Sequence, residues 1–377
     1  MAASTTCVKT DFARRSDRAS AGTVNAMRRV TMEDVAAEAG VSRALVSLVM
    51  RESPRVSQAS REMVLEAAGR MGYRPNLMAR NLASRRTMTL GLLLNDLHNQ
   101  WFAEIADGIH EEADSHGYRL ILGNGRRSPR HEDDMLESFL SFQVDGIIVA
   151  GCRLAPKRIE QIGAEVPMVS VGRALKSASV ATVNSDDRLG AHIAVEHLVQ
   201  LGHRNIVHVD GGRGAGAAPR RAGYLAAMKE FGLERYSKVL TGDFTEAAGV
   251  AAVERLLSSR SMPTALFTAN DIAAVGALDR LEQEGLTVPD DMSIVGYDNT
   301  ALAGLHHVGL TTVNQPREEM GRVAFKAMLE MLAAVHSGGE RHVAPRLAGQ
   351  PTAVHHVMSP ALIVRRTTRE LATTRTR

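Results

Sequence analysis

The sequence predicts two different folds in one chain: an all-α three-helix helix-turn-helix head with a hinge helix, joined to an α/β core of two doubly wound parallel-sheet lobes. Three observations predict this organisation. Apolar residues recur at helical spacing between Val30 and Ser84, and glycines interrupt the pattern. From Met88 onward, short apolar runs alternate with segments of helical spacing. The charge is also segregated, since the head is basic and the core is acidic.

The head begins with the segment VTMEDVAAEAGVSRALVSLVM, which predicts two short helices. Thr31 is placed to cap the first helix, and Gly40 ends it because glycine accepts the left-handed backbone of a tight turn. Ser42 is placed to cap the second helix. Two short helices joined by a glycine-containing turn form a helix-turn-helix, whose second helix is the recognition helix if the unit binds DNA. The predicted inward faces are Met32, Val35, Ala36 and Ala39 on the first helix and Leu45, Val46 and Val49 on the second.

A third helix is predicted from the cap Ser57 to Gly72. After it come the residues YRPN and a short helix that contains alanine and leucine and ends at Ser84. Residues 1–28 show no periodicity and are expected to be disordered, and Met27 is an alternative to Met1 as the start of translation. The predicted inward face of the third helix is Met63, Val64, Ala67, Ala68 and Met71.

The core is predicted as two series of strands and helices. The strands of the first series are TLGLLLN (89–95), RLILGN (119–124), VDGIIVAG (144–151) and PMVSVG (167–172). The second series starts with a helix over 187–201 and contains strands at 205–210, near 239, at 265–270 and at 292–299. The segment 310–316 and a last strand near 361–364 are expected to cross back between the lobes. Such a pair of lobes binds its ligand in the cleft outside the carboxyl ends of the strands.

Composition limits the function further. The net charge of +3 combines a head, residues 28–86, with eleven arginines and six acidic residues, and a core, residues 87–364, with a net charge of −8. A basic head on an acidic body is typical of a protein with one polyanion-binding module. The only cysteines, Cys7 and Cys152, fit a reducing cytoplasm and can build neither a disulfide framework nor a zinc site. No long apolar run predicts a membrane span, and the N-terminus does not read as a secretory signal.

The segments TMEDVAAEAGVS, RVSQASREMVLEAAGRMGYRPN and ARNLAS resemble the lactose-repressor (LacI/GalR) family of bacterial transcription regulators. The motif GYRPN followed by A-R-x-L is highly specific for that family, and the resemblance continues to about Thr367. It implies a periplasmic-binding-protein-like core and a sequence-specific regulator, most commonly a repressor, that binds a pseudo-palindromic operator in double-stranded DNA as a homodimer. It also implies control by a small molecule between the lobes, most commonly a carbohydrate, and no cofactor, metal or enzyme activity.

On this basis we divide the chain into five parts. They are a disordered extension (1–28), a helix-turn-helix DNA-binding domain (29–75), a hinge helix and linker (76–86), a two-lobed effector-binding and dimerisation core (87–366) and a basic C-terminal tail (367–377).

The resemblance places the DNA contacts in the head and hinge. Arg43 lies in the first exposed turn of the recognition helix, where an arginine reads guanine; the alternatives are that it pairs with a phosphate or a nearby glutamate. Leu45 and Leu48 replace the usual threonine and base-reading arginine, which predicts an altered operator preference. In the family, the hinge leucine, here Leu82, wedges into the minor groove. The expected DNA-binding residues are Thr31, Ser42, Arg43, Ala44, Ser47, Arg51, Tyr73, Asn76, Ala79 and Leu82.

The resemblance also places the effector contacts, position by position. Trp101 begins a helix after a strand, where family members stack a ring on the ligand, although a core tryptophan is the alternative. Arg220 matches the ligand-clamping arginine, with Arg221 as the alternative, and Asp271 is expected to cap its helix. Gly172 replaces a common aspartate, and Arg173 is a candidate to take over its role. The expected effector-binding residues are Asn95, Trp101, Phe102, Asn124, Arg220, Phe244, Asn270, Asp298 and Gln315.

Two other functions are alternatives, a solute-binding protein and a catalytic α/β protein, each without operator binding. The glycine-rich segment GGRGAGA (211–217) gives the enzyme its best support, but it does not match a dinucleotide-binding fingerprint and the chain has no P-loop. The basic head and the lack of a signal segment argue against the solute-binding protein.

Overall fold

The computed structural model describes residues 30–51, 53–73, 86–259, 261–337 and 354–371. The chain divides into two compact units, Met1–Arg85 and Arg86–Arg377. The expected disordered extension, the whole predicted hinge helix with Asn76, Ala79 and Leu82, and residues 372–377 lie outside the described residues.

The head contains three helices, α1 (Met32–Glu38), α2 (Arg43–Met50) and α3 (Gln58–Arg70). Each begins at the predicted cap, because the hydroxyls of Thr31, Ser42 and Ser57 accept hydrogen bonds from backbone N–H groups in the first turn. Their contact faces share small aliphatic side chains, which let short helices pack closely. The buried set is Val35, Ala36, Ala39, Val46, Val49, Val64, Ala67 and Ala68. The inward prediction for Met63 is wrong, because its side chain is 45% exposed.

The core alternates strands and helices. Its first half contains β1 (Thr89–Leu94), α4 (Gln100–Ser115), β2 (Arg119–Asn124), α5 (Pro129–Ser141), β3 (Gly146–Ala150), α6 (Pro156–Glu165), β4 (Met168–Val171) and β5 (Val180–Ser185). Its second half contains α7 (Asp187–Gln200), β6 (Ile206–Val209), α8 (Ala217–Glu230), β7 (Lys238–Leu240), α9 (Glu246–Leu257), β8 (Ala265–Thr268), α10 (Asp271–Gln283), β9 (Ser293–Asp298), α11 (Ala301–Gly304), β10 (Thr311–Asn314), α12 (Arg317–Ser337), β11 (His355–Met358) and β12 (Ala361–Ile363).

The strands form one six-stranded sheet in each lobe. The order in the first lobe is β11-β5-β4-β3-β1-β2, and the order in the second is β12-β10-β9-β8-β6-β7. All pairs are parallel except β10 with β12. Helices α4 and α12 cover one face of the first sheet, and α5 and α6 cover the other. Because both faces are buried, the central strands read as continuous apolar runs rather than as alternating patterns.

Three connections pass between the lobes within the described residues, and together they form the hinge. They lead from β5 to α7, from β10 to α12 and from β11 to β12. The segments 310–316 and 361–364, which we expected to cross, belong to the second and third connections. None of the described helices combines the length and the hydrophobicity needed to cross a bilayer.

The structure adds elements that the sequence patterns did not predict. They are β5, α6, α11, α12 and β11. Residues 367–371, which we assigned to a basic tail, pack on the second lobe. There the hydroxyl of Thr367 donates to the carbonyl of Ile294 (2.7 Å), and the N–H of Leu371 donates to the carbonyl of Leu201 (2.8 Å).

Candidate functional site

A cleft lies between the two lobes of the core, at the carboxyl ends of the strands. Of the nine residues that we expected to bind an effector, seven line it. They are Asn95, Trp101, Phe102, Arg220, Phe244, Asp298 and Gln315.

The first lobe contributes an aromatic wall. Trp101 and Phe102 begin α4, whose cap is Asn99, and their rings meet edge to face with centroids 4.9 Å apart. Phe102 lies against Gly151, since a Cβ atom at that glycine would come within 2.6 Å of the ring. The indole Nε1 of Trp101 and the Oδ1 of Asn95 are buried and have no hydrogen-bond partner within the described part of the chain. A ligand with neighbouring donor and acceptor groups would compensate for both.

The second lobe contributes a facing aromatic side chain, Phe244. Its ring lies against Gly211 and Gly214, where a Cβ atom would come within 2.1 and 2.4 Å of it. The glycine-rich segment therefore makes room for this ring, and its residues 214–216 line the cleft. Asn270 supports the Phe244 loop from below, because its Nδ2 donates to the Phe244 carbonyl (3.2 Å) while its Oδ1 caps α10.

Arg220 projects from α8 into the base of the cleft, where it is 4% exposed. Its Nη2 lies 2.6 Å from Oδ1 of Asp187, and its Nη1 donates to the carbonyl of Ala269. The guanidinium also stacks over the ring of Tyr297, 3.4 Å from the centroid. Burial lowers the pKa of Arg220, but Asp187, Tyr297 and Asp298 together outweigh it and raise this pKa, so the arginine stays positively charged.

Asp298 ends β9 and connects the cleft to the hinge. Its Oδ1 accepts a hydrogen bond of 2.6 Å from Nε2 of Gln315, which lies in the connection from β10 to α12. Burial raises the pKa of Asp298, and the neighbouring carboxyl of Asp271 raises it further. Its backbone has a φ of 113°, a conformation that non-glycine residues rarely adopt. Strain at a ligand cleft of this kind is typical of binding residues.

In the head, Arg43 and Ala44 occupy the exposed first turn of α2. The Nε of Arg43 lies 2.9 Å from Oε1 of Glu33, and this pair is exposed. Arg43 therefore pairs with a nearby glutamate, one of the two alternatives to a base contact. Because an exposed ion pair contributes little free energy, Arg43 can leave Glu33 and contact DNA at little cost. Farther along the helix, Arg51 donates to the hydroxyl of Ser47 (2.7 Å), so these two expected phosphate contacts act as one unit.

Comparison with known proteins identifies both units. Residues 31–76 match the family model for bacterial regulatory proteins of the lacI family, and residues 87–348 match the model for periplasmic binding proteins and the sugar-binding domain of the LacI family. The chain belongs to the LacI family. It is 37% identical to catabolite control protein A of Priestia megaterium over 80% of this chain and 92% of that protein.

Solved structures of LacI-family proteins show the same fold. The lac repressor dimer bound to operator and an anti-inducer has a TM-score of 0.77 and 26% identity, covering 91% of this chain and all of that one. The complex of the regulator CelR with cellobiose has a TM-score of 0.63 and 31% identity, covering 90% of this chain and all of that one. The fold class and the predicted function are confirmed: this LacI-family chain is a DNA-binding transcription regulator with a small-molecule effector, and it is not an enzyme.

Three residues of this LacI-family chain have roles in the structure that differ from those we expected. Asn124 and Asn270 do not line the cleft; Asn124 accepts a hydrogen bond from the N–H of Arg126 (3.0 Å), and Asn270 is the cap of α10. Asp271 is not that cap, because it is buried and accepts hydrogen bonds from Thr300 and Thr312.

The two arginines named as alternatives also lie elsewhere. The guanidinium of Arg173 donates to the carbonyls of Cys152 and Leu154, so it cannot replace an aspartate in the cleft. Arg221 pairs with Asp210, which leaves Arg220 as the arginine of the cleft.

Sequence reasoning missed four charged residues that line the cleft. They are Arg127, Arg153, Asp187 and Asp243. Each follows the carboxyl end of a strand, namely β2, β3, β5 and β7 in that order. The rule that doubly wound sheets bind ligands at these ends was therefore a sufficient signal.

In the head, the other residues that we expected to contact DNA lie at helix caps or on the surface of the three helices. Thr31 and Ser42 are exposed caps. Tyr73 packs against the helical core, and its pKa is raised by burial and by the charge of Glu33. Leu45 and Leu48, the departures from the family pattern, are both half-buried, and their partial exposure leaves an apolar surface on α2.

Proposed function

We propose that the chain is a cytoplasmic, homodimeric repressor whose affinity for its operator is controlled by a small carbohydrate bound between the core lobes. The observation that carries this proposal is the composition of the cleft, in which each lobe supplies an aromatic side chain and hydrogen-bonding groups. The sugar-bound structure of CelR, which shares the fold, supports the same class of effector.

A sugar ring suits the cleft in both shape and polarity. Trp101 and Phe102 offer an apolar face from the first lobe, and Phe244 offers one from the second. Around these rings, Asn95, Arg220, Asp298 and Gln315 supply both donors and acceptors, which is the combination that hydroxyl groups require.

The effector acts by favouring one arrangement of the lobes. Because it contacts both lobes, it binds the closed cleft more tightly than the open one and shifts the population toward closure. The connection from β10 to α12 transmits the shift, since it carries Gln315 in the cleft and Arg317 beside it. The guanidinium of Arg317 bridges the lobes, with its Nε donating to Glu104 (2.8 Å) and its Nη2 donating to the carbonyl of Asn299 (2.8 Å).

The head reads DNA through α2. In a dimer, two such helices face half-sites about one helical turn apart in a pseudo-palindrome. Arg43 reads a base, Ala44 packs beside it, and Thr31, Ser42, Ser47, Arg51 and Tyr73 contact the phosphate backbone. Asn76, Ala79 and Leu82 of the predicted hinge helix complete the interface in the minor groove.

Effector binding is tested by titrating the full-length protein with a panel of sugars and nucleosides while recording tryptophan fluorescence. Trp101 is the single tryptophan of the chain, so its emission reports on the cleft without interference. We expect a saturable change with at least one sugar, and a loss of affinity of about tenfold or more in Asp298→Asn, because a hydrogen-bonding carboxyl is lost. A response to nucleosides alone would overturn the carbohydrate assignment.

A further inference from the structure

Arg127 and Asp243 form an ion pair across the cleft. Arg127 follows β2 in the first lobe, and Asp243 follows β7 in the second. The Nη2 of Arg127 lies 2.7 Å from Oδ2 of Asp243 and also donates to the carbonyl oxygen of Asp243 (2.9 Å). The pair is half-buried, with the side chains of Arg127 and Asp243 29% and 50% exposed.

The sheet order places this pair opposite the hinge. Strands β2 and β7 are the outermost strands on one side of their sheets. The three connections between the lobes begin or end at β5, β11, β10 and β12, on the other side. Opening about the hinge therefore separates Arg127 from Asp243 by more than it separates groups near the connections. An ion pair at this position therefore opposes opening more effectively than the same pair placed near the hinge.

The first lobe holds Arg127 in place through its own backbone contacts. Its backbone has a φ of 56°, and that of Arg126 has a φ of 52°, so the turn is tight. The N–H of Arg127 donates to the carbonyl of Asn95 (2.9 Å), and Nη1 of Arg153 donates to the carbonyl of Arg127 (3.1 Å). Ordering the residue in this way reduces the entropy that the ion pair loses when it forms.

The second lobe holds Asp243 in the matching position. Its carboxylate also accepts a hydrogen bond from the hydroxyl of Thr245, the cap of α9. Burial alone would raise the pKa of Asp243, but the hydrogen bonds from Thr245 and Arg127 outweigh it and lower the pKa. The carboxylate therefore stays charged well below neutral pH.

We propose that Arg127 and Asp243 form a latch that stabilises the closed arrangement of the lobes and sets how often the cleft opens to admit or release a ligand. The latch deepens the proposed function, because its regulatory consequence rests on effector binding in this cleft. Lobe closure itself does not depend on that function. A chain with the latch intact releases its ligand more slowly than a chain without it.

The latch is tested by pulsed electron paramagnetic resonance on the ligand-free full-length chain. Spin labels are attached to Asp134→Cys on α5 and Arg255→Cys on α9, both exposed positions on the helices that follow the two latch loops. Cys7→Ser removes a labelling site, while buried Cys152 is retained. The variants are Arg127→Gln, Asp243→Asn and both together. Arg126→Gln is the matched control, because it removes an exposed positive charge from the same turn.

We expect Arg127→Gln and Asp243→Asn each to raise the ratio of long to short distances about two- to fivefold, as for partly exposed ion pairs. The double variant should add little to either change. High salt should raise the ratio in the wild type but not in Arg127→Gln. A distance distribution in both single variants equal to that of Arg126→Gln would overturn the latch. Because the measurement uses neither DNA nor ligand, such a result would leave the proposed function unaffected, and thermal melting verifies that each variant is folded.

Discussion

The indole ring of Trp101 lies directly over Gly172, so closely that a Cβ atom at position 172 would come within 2.5 Å of its Cη2 atom. Gly172 also has a φ of +75°, a conformation that side chains disfavour. Many family members carry an aspartate here, and this chain instead has the flat ring in the space that a side chain would need. The tryptophan and the glycine therefore form one structural unit in the cleft wall.

Gly172→Ala should displace the indole ring and weaken effector binding. We expect a shift of tryptophan emission to longer wavelength, because the displaced ring gains contact with water. Gly232→Ala is the control: it has a similar φ of +69° but open space around it, so it carries the backbone strain without the clash. Equal emission spectra for the two variants would show that the contact with Trp101 does not matter.

Arg220→Gln should destabilise the core by about 3–5 kcal/mol, because it leaves the carboxylate of Asp187 buried without its cation. The side chains of Arg220 and Asp187 are only 4% and 12% exposed, so solvent screens the pair weakly. Urea unfolding followed by circular dichroism measures the loss. Arg213→Gln, an exposed arginine in the loop before α8, is the control and should cost less than about 0.5 kcal/mol. A small loss at Arg220 would mean that the arginine is there for the ligand alone.

Acid should destabilise the second lobe through His208. This imidazole is fully buried, and burial lowers its pKa from 6.5 to about 4. Between these two pH values the unfolded chain binds a proton at His208 and the folded chain does not. The free energy of unfolding is therefore unaffected by His208 above about pH 6.5 and decreases as the pH falls toward 4, by at most about 1.4 kcal/mol per pH unit. We expect His208→Phe to show a smaller drop in melting temperature between pH 7.5 and pH 5.0 than the wild type.

His131→Phe controls for the replacement itself, because His131 is exposed on α5. It should keep the pH dependence of the wild type. Burial also lowers the pKa values of His197 and His203, so part of the dependence should persist in His208→Phe. An unchanged drop in that variant would exclude His208 as a cause.

Arg43→Ala should weaken binding to the operator by about 1–3 kcal/mol while sparing binding to random DNA, because the lost contact reads a base. Fluorescence anisotropy with the two duplexes at fixed salt provides the comparison. Arg70→Ala on α3, which removes another exposed arginine paired with a glutamate, Glu38, should change neither affinity. Equal losses on both duplexes would assign Arg43 to a phosphate contact.

The sequence patterns predicted the apolar strands well and missed the strands of polar or mixed composition. Central strands such as β1 and β3 are buried on both faces, and their unbroken apolar runs are distinctive. Strand β5 is equally buried but contains threonine, asparagine and serine, so it does not form the apolar run by which the other buried strands were recognised. Strand β11 is short and alternates between exposed and half-buried positions at the sheet edge, where little apolar surface marks a strand.

The sequence also predicted some cleft side chains correctly and others not. Position in the family motif was enough for Trp101 and Arg220, whose places follow from the fold. It was not enough for Asn270, because an asparagine after a strand can either cap the next helix or face the cleft. The choice depends on the Phe244 loop, which is distant in the sequence and contacts Asn270 only in the folded lobe.

The most direct test of the central claim is a footprint of the purified protein on DNA upstream of its own and neighbouring genes, with and without the panel of sugars and nucleosides. The account predicts protection of a pseudo-palindrome about two helical turns long, lost or gained with one sugar. No protection under any condition, from folded protein at modest salt, would contradict it. The recognition helix with Leu45 and Leu48 would then have lost operator reading, and only the ligand cleft would retain a function.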